Sequence, residues 1–161
     1  MKKRMRKLFV GVIVAAVLLG SGILVYRSCY NPYPKEGSLF HILEIDSNEI
    51  ESIAVTYHYS VRAAEDTESI ENLISMLNQN VSFVKRYNMS NIEGSPDWNV
   101  YFFLQTGEKQ KIGIYDDMVI FTDGEIRYCY QGTFDLSVFE EVPMVENSTK
   151  YWREKENYTS R

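Results

Sequence analysis

The sequence predicts an α+β protein: an N-terminal transmembrane helix, then an antiparallel sheet with one main helix and a short C-terminal helix on one face. The expected order is β-β-α-β-β-β-β-β-α. Three observations lead there. Leu8 to Tyr26 is a run of 19 residues without a charge, directly behind five cations. Ile70, Leu73, Ile74 and Leu77 recur at i, i+3, i+4 and i+7, the spacing of one helical stripe. Beyond them, short apolar-alternating segments are broken by Asp116-Asp117 and Asp123-Gly124, the pattern of successive antiparallel strands.

The uncharged run comes first. At about 1.5 Å per residue it spans roughly 28 Å as a helix, against a hydrocarbon core of about 30 Å. Lys2, Lys3, Arg4, Arg6 and Lys7 precede it and only Arg27 and Lys35 follow closely. Cationic flanks stay cytoplasmic, so residues 1–7 are expected inside, 8–26 in the membrane and 27–161 outside. A cleaved secretory signal is the competing reading. Gly20-Ser21-Gly22 offers small residues for it, but Ile23 to Tyr26 carries the apolar run past them. A lipid-modified Cys29 is disfavoured, because Tyr26-Arg27-Ser28 lacks the small residues that bacterial lipoproteins place there.

Charge changes at that boundary. Without the five leading cations, 12 basic residues stand against 22 acidic ones, a net charge of −10 on the remainder. Such a field repels phosphate backbones, so no nucleic-acid partner is expected. Cys29 and Cys129 could bridge in an oxidising exterior, but spacing alone does not establish it. With two histidines they make no zinc pattern, and no glycine-rich phosphate loop occurs, so neither metal nor cofactor is expected.

Beyond the membrane, Tyr30 to Gly37 reads as the end of a stalk over 27–37, since its two prolines resist helix. One domain then fills 38–143. Leu39 to Ile45 is a short strand candidate and Asp46-Ser47-Asn48 a turn. Ile53, Val55, Tyr57, Tyr59 and Val61 alternate, which predicts a strand over 51–61 with one buried face. Asp66 or Thr67 caps the helix of Ile70 to Leu77, with Glu68 and Glu71 near its positive end. Strands follow at Val81–Tyr87, Trp98–Gln105, Lys109–Tyr115 and Met118–Thr122. A two-residue Asp123-Gly124 turn then pairs Phe121 with Ile126, and Ile120 with Arg127. Phe134, Leu136, Phe139 and Val142 mark a short last helix stopped by Pro143, and 144–161 reads as a mobile polar tail.

This order resembles the β-α-β4-α arrangement of TATA-box-binding-protein-like folds. Through the Ile53-to-Tyr59 strand, the Ile70-to-Leu77 helix and the Asp123-Gly124 hairpin, the chain also resembles small membrane-anchored extracytoplasmic domains of unknown function from Gram-positive bacteria. That resemblance implies a location and no functional residues.

Two function classes follow. A non-catalytic protein- or peptide-binding module would use the loop Asn88 to Asp97, with Met89 and Ile92, and the sheet face carrying Met118, Ile120 and Arg127. A small hydrolase would use His58 with a distant carboxylate, and it needs an orienting acid and a hydroxyl nearby. Asn80, Asn88, Asn147 and Asn157 also match the glycosylation acceptor pattern.

Overall fold

The computed structural model describes residues 12–13, 16–22, 32–88, 96–115 and 117–160. Two compact units, Met1–Tyr33 and Pro34–Arg161, divide the chain. In the first, residues 12–13 and 16–22 are helical, and Val12, Ile13, Val17, Leu18 and Leu19 are exposed. The Ser21 hydroxyl donates to the Leu18 carbonyl at 3.0 Å. No described helix is long and apolar enough to cross a membrane, so the expected transmembrane helix is not shown. The remainder of Leu8 to Tyr26, the basic segment 1–7 and Cys29 lie outside the described residues.

The second unit is an α+β domain. Its elements begin with β1 (Glu36–Ser38), α1 (Leu39–Leu43), a 3-10 turn (Ser47–Glu49), β2 (Ile50–Tyr57), β3 (Ser60–Ala64) and α2 (Thr67–Leu77). Strands β4 (Asn80–Asn88), β5 (Trp98–Leu104), β6 (Glu108–Ile114), β7 (Met118–Asp123) and β8 (Ile126–Gln131) follow. The chain closes with α3 (Val138–Glu141), α4 (Ser148–Glu154) and β9 (Thr159–Ser160). The nine-stranded sheet runs β1-β4-β8-β7-β6-β5-β2-β3, with β9 added beside β6. All pairs are antiparallel except β6 with β9.

From β2 to α3 the order matches the expected one, but two corrections compensate within it. Leu39 to Leu43 is a helix, not a strand: Leu39, Phe40, Ile42 and Leu43 are buried at helical spacing, and the Ser38 hydroxyl accepts from the His41 amide. The strand expected over 51–61 is a hairpin. His58 and Tyr59 form its turn, with His58 at φ 50, a conformation His tolerates better than most residues. Tyr59 is therefore fully exposed, not part of a buried alternation.

The stalk also ends early. Gly37 pairs with Val81, and the Phe83 amide donates to Lys35 O at 2.6 Å. α2 forms as its stripe requires, with the Asp66 carboxylate accepting from the Ser69 amide at 2.9 Å and held below its ordinary pKa by that bond. Leu73, Met76 and Leu77 are buried.

One sheet face carries the main core. Val100, Phe102, Ile112, Ile114, Val119, Phe121, Tyr128 and Tyr130 are at most 3% exposed, which is what alternation in four adjacent strands delivers when one side is covered. Phe40 of α1 meets Phe102 edge-on at 5.5 Å, and Phe139 of α3 packs on Trp98 at 5.0 Å. The expected mobile tail instead folds back on the other face. Tyr151 joins Ala54, Val61 and Phe103 in a second cluster, with Trp152 and Tyr158 against it. Burying Tyr151 and half-burying Trp152 and Tyr158 supplies the apolar area that a polar-looking segment of this length otherwise lacks. The Ala63 amide donates to Pro143 O and the Val145 amide to Val61 O, so residues 143–145 cover the outer edge of β3.

Among the described residues the buried Tyr151 hydroxyl makes no hydrogen bond of good geometry, although Ser52 stands near enough to oppose the rise in its pKa. An unsatisfied buried polar group costs about 1–3 kcal/mol. Tyr151→Phe should therefore raise the stability of the domain by about 1 kcal/mol, read as a higher urea midpoint. A lower midpoint would show that the hydroxyl is in fact bonded.

Candidate functional site

The second sheet face is covered unevenly. α4 and Tyr158 pack over β3, β2 and the end of β5, while across β6, β7, β8 and β4 the side chains of this face stay exposed or half-buried, apart from the buried Cys129. Directly paired residues share a face, so the register composes this surface. One row runs Asn99–Gly113–Ile120–Cys129–Lys85 across five strands. Beside it, Tyr101 pairs with Lys111, and Thr122–Arg127–Tyr87 continues on β7, β8 and β4.

Met118, Ile120 and Arg127 thus lie on one face, as expected, although the hairpin register differs. The turn residues are Gly124 and Glu125; Phe121 pairs with Tyr128, Ile120 with Cys129 and Thr122 with Arg127. The shift moves each strand by one residue. Because the combined shift is two, every side chain keeps its face while changing its partner. Gly124 takes φ 57, which explains why the turn centres there. Met89 and Ile92 lie outside the described residues.

Three clefts adjoin along this surface. The first, about 90 Å³, is lined by Pro96, Gly113, Tyr115, Ile120 and Arg127 among others. The second, about 300 Å³, shares Lys111 and Thr122 with it and adds Tyr101 and Lys109. The third, about 270 Å³, shares Tyr101 and Lys109 with the second and reaches Trp152 and Lys155. Gly113 lets Pro96 rest on the strand: a Cβ there would meet Pro96 Cγ at 2.7 Å. Tyr87 and Tyr115 flank Arg127; burial raises both phenol pKa values, and the guanidinium opposes the shift. Cys129 is buried as a free thiol, with Sγ 3.6 Å from Met118 Sδ. Burial pushes its pKa up, so the nucleophilic thiolate is scarce.

His58 is exposed at the tip of the β2–β3 hairpin, edge-on to Tyr57 at 4.3 Å. The acid and hydroxyl partners a hydrolase needs are not gathered around it among the described residues. No three His, Cys, Asp or Glu side chains stand close enough among the described residues to hold a metal ion.

One pair escaped sequence reasoning. Lys155 Nζ donates to Ser52 Oγ at 2.9 Å, a contact that resembles a Ser–Lys dyad. Three features argue for a structural role. The Ser52 residue is 2% exposed, so no substrate reaches it. Glu65 lies 3.6 Å from Nζ, and the Phe103, Tyr151 and Tyr158 rings surround it at 5.0–5.6 Å. Those neighbours attract an ammonium, whereas a general base must be neutral. The pair fastens the tail to β2, and only a fold could reveal it, since 103 residues separate the partners.

Tyr158 completes that fastening by donating to Glu51 at 2.7 Å. Burial, with Glu51 adding, pushes its hydroxyl up from 10.0 to about 12. The stabilisation from the neutral phenol is complete below pH 10 and is lost as pH rises through about 12. Tyr158→Phe should flatten the alkaline limb of the stability-versus-pH curve; an identical limb in the variant would remove Tyr158 from that transition. No family model, curated protein or solved structure matches the chain.

Proposed function

We propose that the chain is a single-pass membrane protein, cytoplasmic at its N-terminus, whose residues 27–161 form an exterior, non-catalytic protein- or peptide-binding module. The observation that carries the binding reading is the unevenly covered sheet face, where Ile120 and Arg127 line a cleft beside Pro96. Apolar surface rimmed by charge is a common mark of contact. The exposure of Val12, Ile13, Val17, Leu18 and Leu19 supports an anchor, because such side chains suit lipid better than water. The Ser21 hydroxyl bonded within its own helix is how a membrane segment accommodates a polar group.

Protease added to intact cells should remove the exterior domain and leave an N-terminal tag protected. A soluble mature protein that begins after Gly22 would contradict the anchor. For the binding face, a photo-crosslinking amino acid at position 120 should join the full chain to a partner in native membranes. The same group at the fully exposed Tyr59 position should not. Equal yields at the two positions would remove this face from consideration.

A further inference from the structure

We infer that the open sheet face takes an extended acidic peptide segment that presents both carboxylates and apolar side chains on the side turned to the sheet. This deepens the binding reading above and rests on it. Across β4, β8, β7, β6 and β5, every charged side chain that the register places on this face is a cation: Lys85, Arg127, Lys111 and Lys109. The chain beyond residue 7 has 22 acidic residues against 12 basic ones, so composition alone favours the opposite sign. Carboxylates stand around the rim: Asp97 acts on Tyr115, Asp117 acts on Cys129, and Glu156 lines the third cleft with Lys109. None of the four cations forms an ion pair with another described residue. Two of them lie over aromatic rings of the same face, Lys85 over Tyr87 at 5.7 Å and Lys111 over Tyr101 at 5.4 Å.

Spacing favours an extended chain. Neighbouring strands lie about 4.8 Å apart, so Lys85 and Arg127 are one step apart and Arg127 and Lys111 two. Same-side side chains of an extended peptide recur about every 6.8 Å, within the reach of these long cationic side chains. The floor between the cations is apolar or aromatic, with Ile120, Tyr101 and Tyr87. A phosphate polymer would leave that floor unused. An anionic bilayer needs a protruding surface, and here three of the four cations, Arg127, Lys111 and Lys109, line clefts.

The test uses the full chain in phosphatidylcholine nanodiscs and four probes: a Glu–Leu dodecapeptide of repeated Glu-Glu-Leu-Leu, which carries both residue types on each side of the strand, its Lys–Leu counterpart, inorganic polyphosphate and phosphatidylglycerol vesicles. The Glu–Leu peptide should bind and the Lys–Leu peptide should not. Lys111→Glu with Arg127→Glu should weaken Glu–Leu binding at least about tenfold, or about 1.4 kcal/mol. Ile120→Ser should weaken it too while leaving polyphosphate unaffected. Lys85→Glu, at an exposed position, provides an independent charge reversal if the double variant fails to fold. Equal binding of the two peptides, polyphosphate binding as tight as Glu–Leu, or binding to phosphatidylglycerol vesicles alone would overturn the inference. Loss of peptide binding with persistent crosslinking at position 120 defeats the acidic partner and spares the face. Loss of both defeats the face as well.

Discussion

The β2–β5 pair is the constraint on which the rest of the domain depends. Its register holds Ile53 against Phe102 and Ala54 against Tyr101, and Ile53, Ala54, Val55, Phe102 and Phe103 are entirely buried. A strand pair buried on both sides requires cover from both sides. Phe40 and Phe139 supply it on one face, and Tyr151 supplies it on the other. The short α4 is thereby committed to one end of the sheet. The strands farther out keep a covered face and an open one, so the candidate surface is what remains once the centre is sealed.

This explains why the C-terminal segment folds despite its polar composition. Tyr151, Trp152 and Tyr158 are three contacts spread over eight residues, too sparse for a periodic signal. Lys155 adds a cation inside an aromatic enclosure, with Ser52 and Glu65 as its polar partners. Its long stem lets the ammonium reach a buried hydroxyl while the side chain lies along the rings. A segment read alone as charged becomes ordered because β2 and β5 present it with apolar surface.

Legibility followed locality. α2 could be read because its stripe, its Asp66 cap and its stop are all written within thirteen residues. The β7–β8 hairpin was legible as a hairpin, and its faces came out right, but the turn slid by one residue. Asp-Gly marks a turn without fixing which pair of residues is central. The β2–β3 hairpin was invisible, since Tyr57-His58-Tyr59-Ser60 contains no glycine, proline or asparagine. A warning lay in length: a strand over 51–61 is about twice the usual five or six residues. α1 was misread because five apolar-rich residues fit either period. Of the candidate site, Ile120, Met118 and Arg127 could be grouped through the hairpin, whereas Lys85, Lys109 and Lys111 join them only through long-range pairing.

That last distinction also reverses an inference from charge. The chain beyond residue 7 is strongly acidic, and from sequence this argues against anionic partners. Net charge, however, is an average over a surface, and exposed charges farther apart than a Debye length of about 8 Å are largely screened. The charged residues lining the first two clefts are Arg127, Lys111 and Lys109, all cations. Acidic surface elsewhere keeps the domain soluble and slows the approach of anions from those directions. The strand register can therefore set a local sign opposite to the global one, because the faces of a sheet are assigned residue by residue.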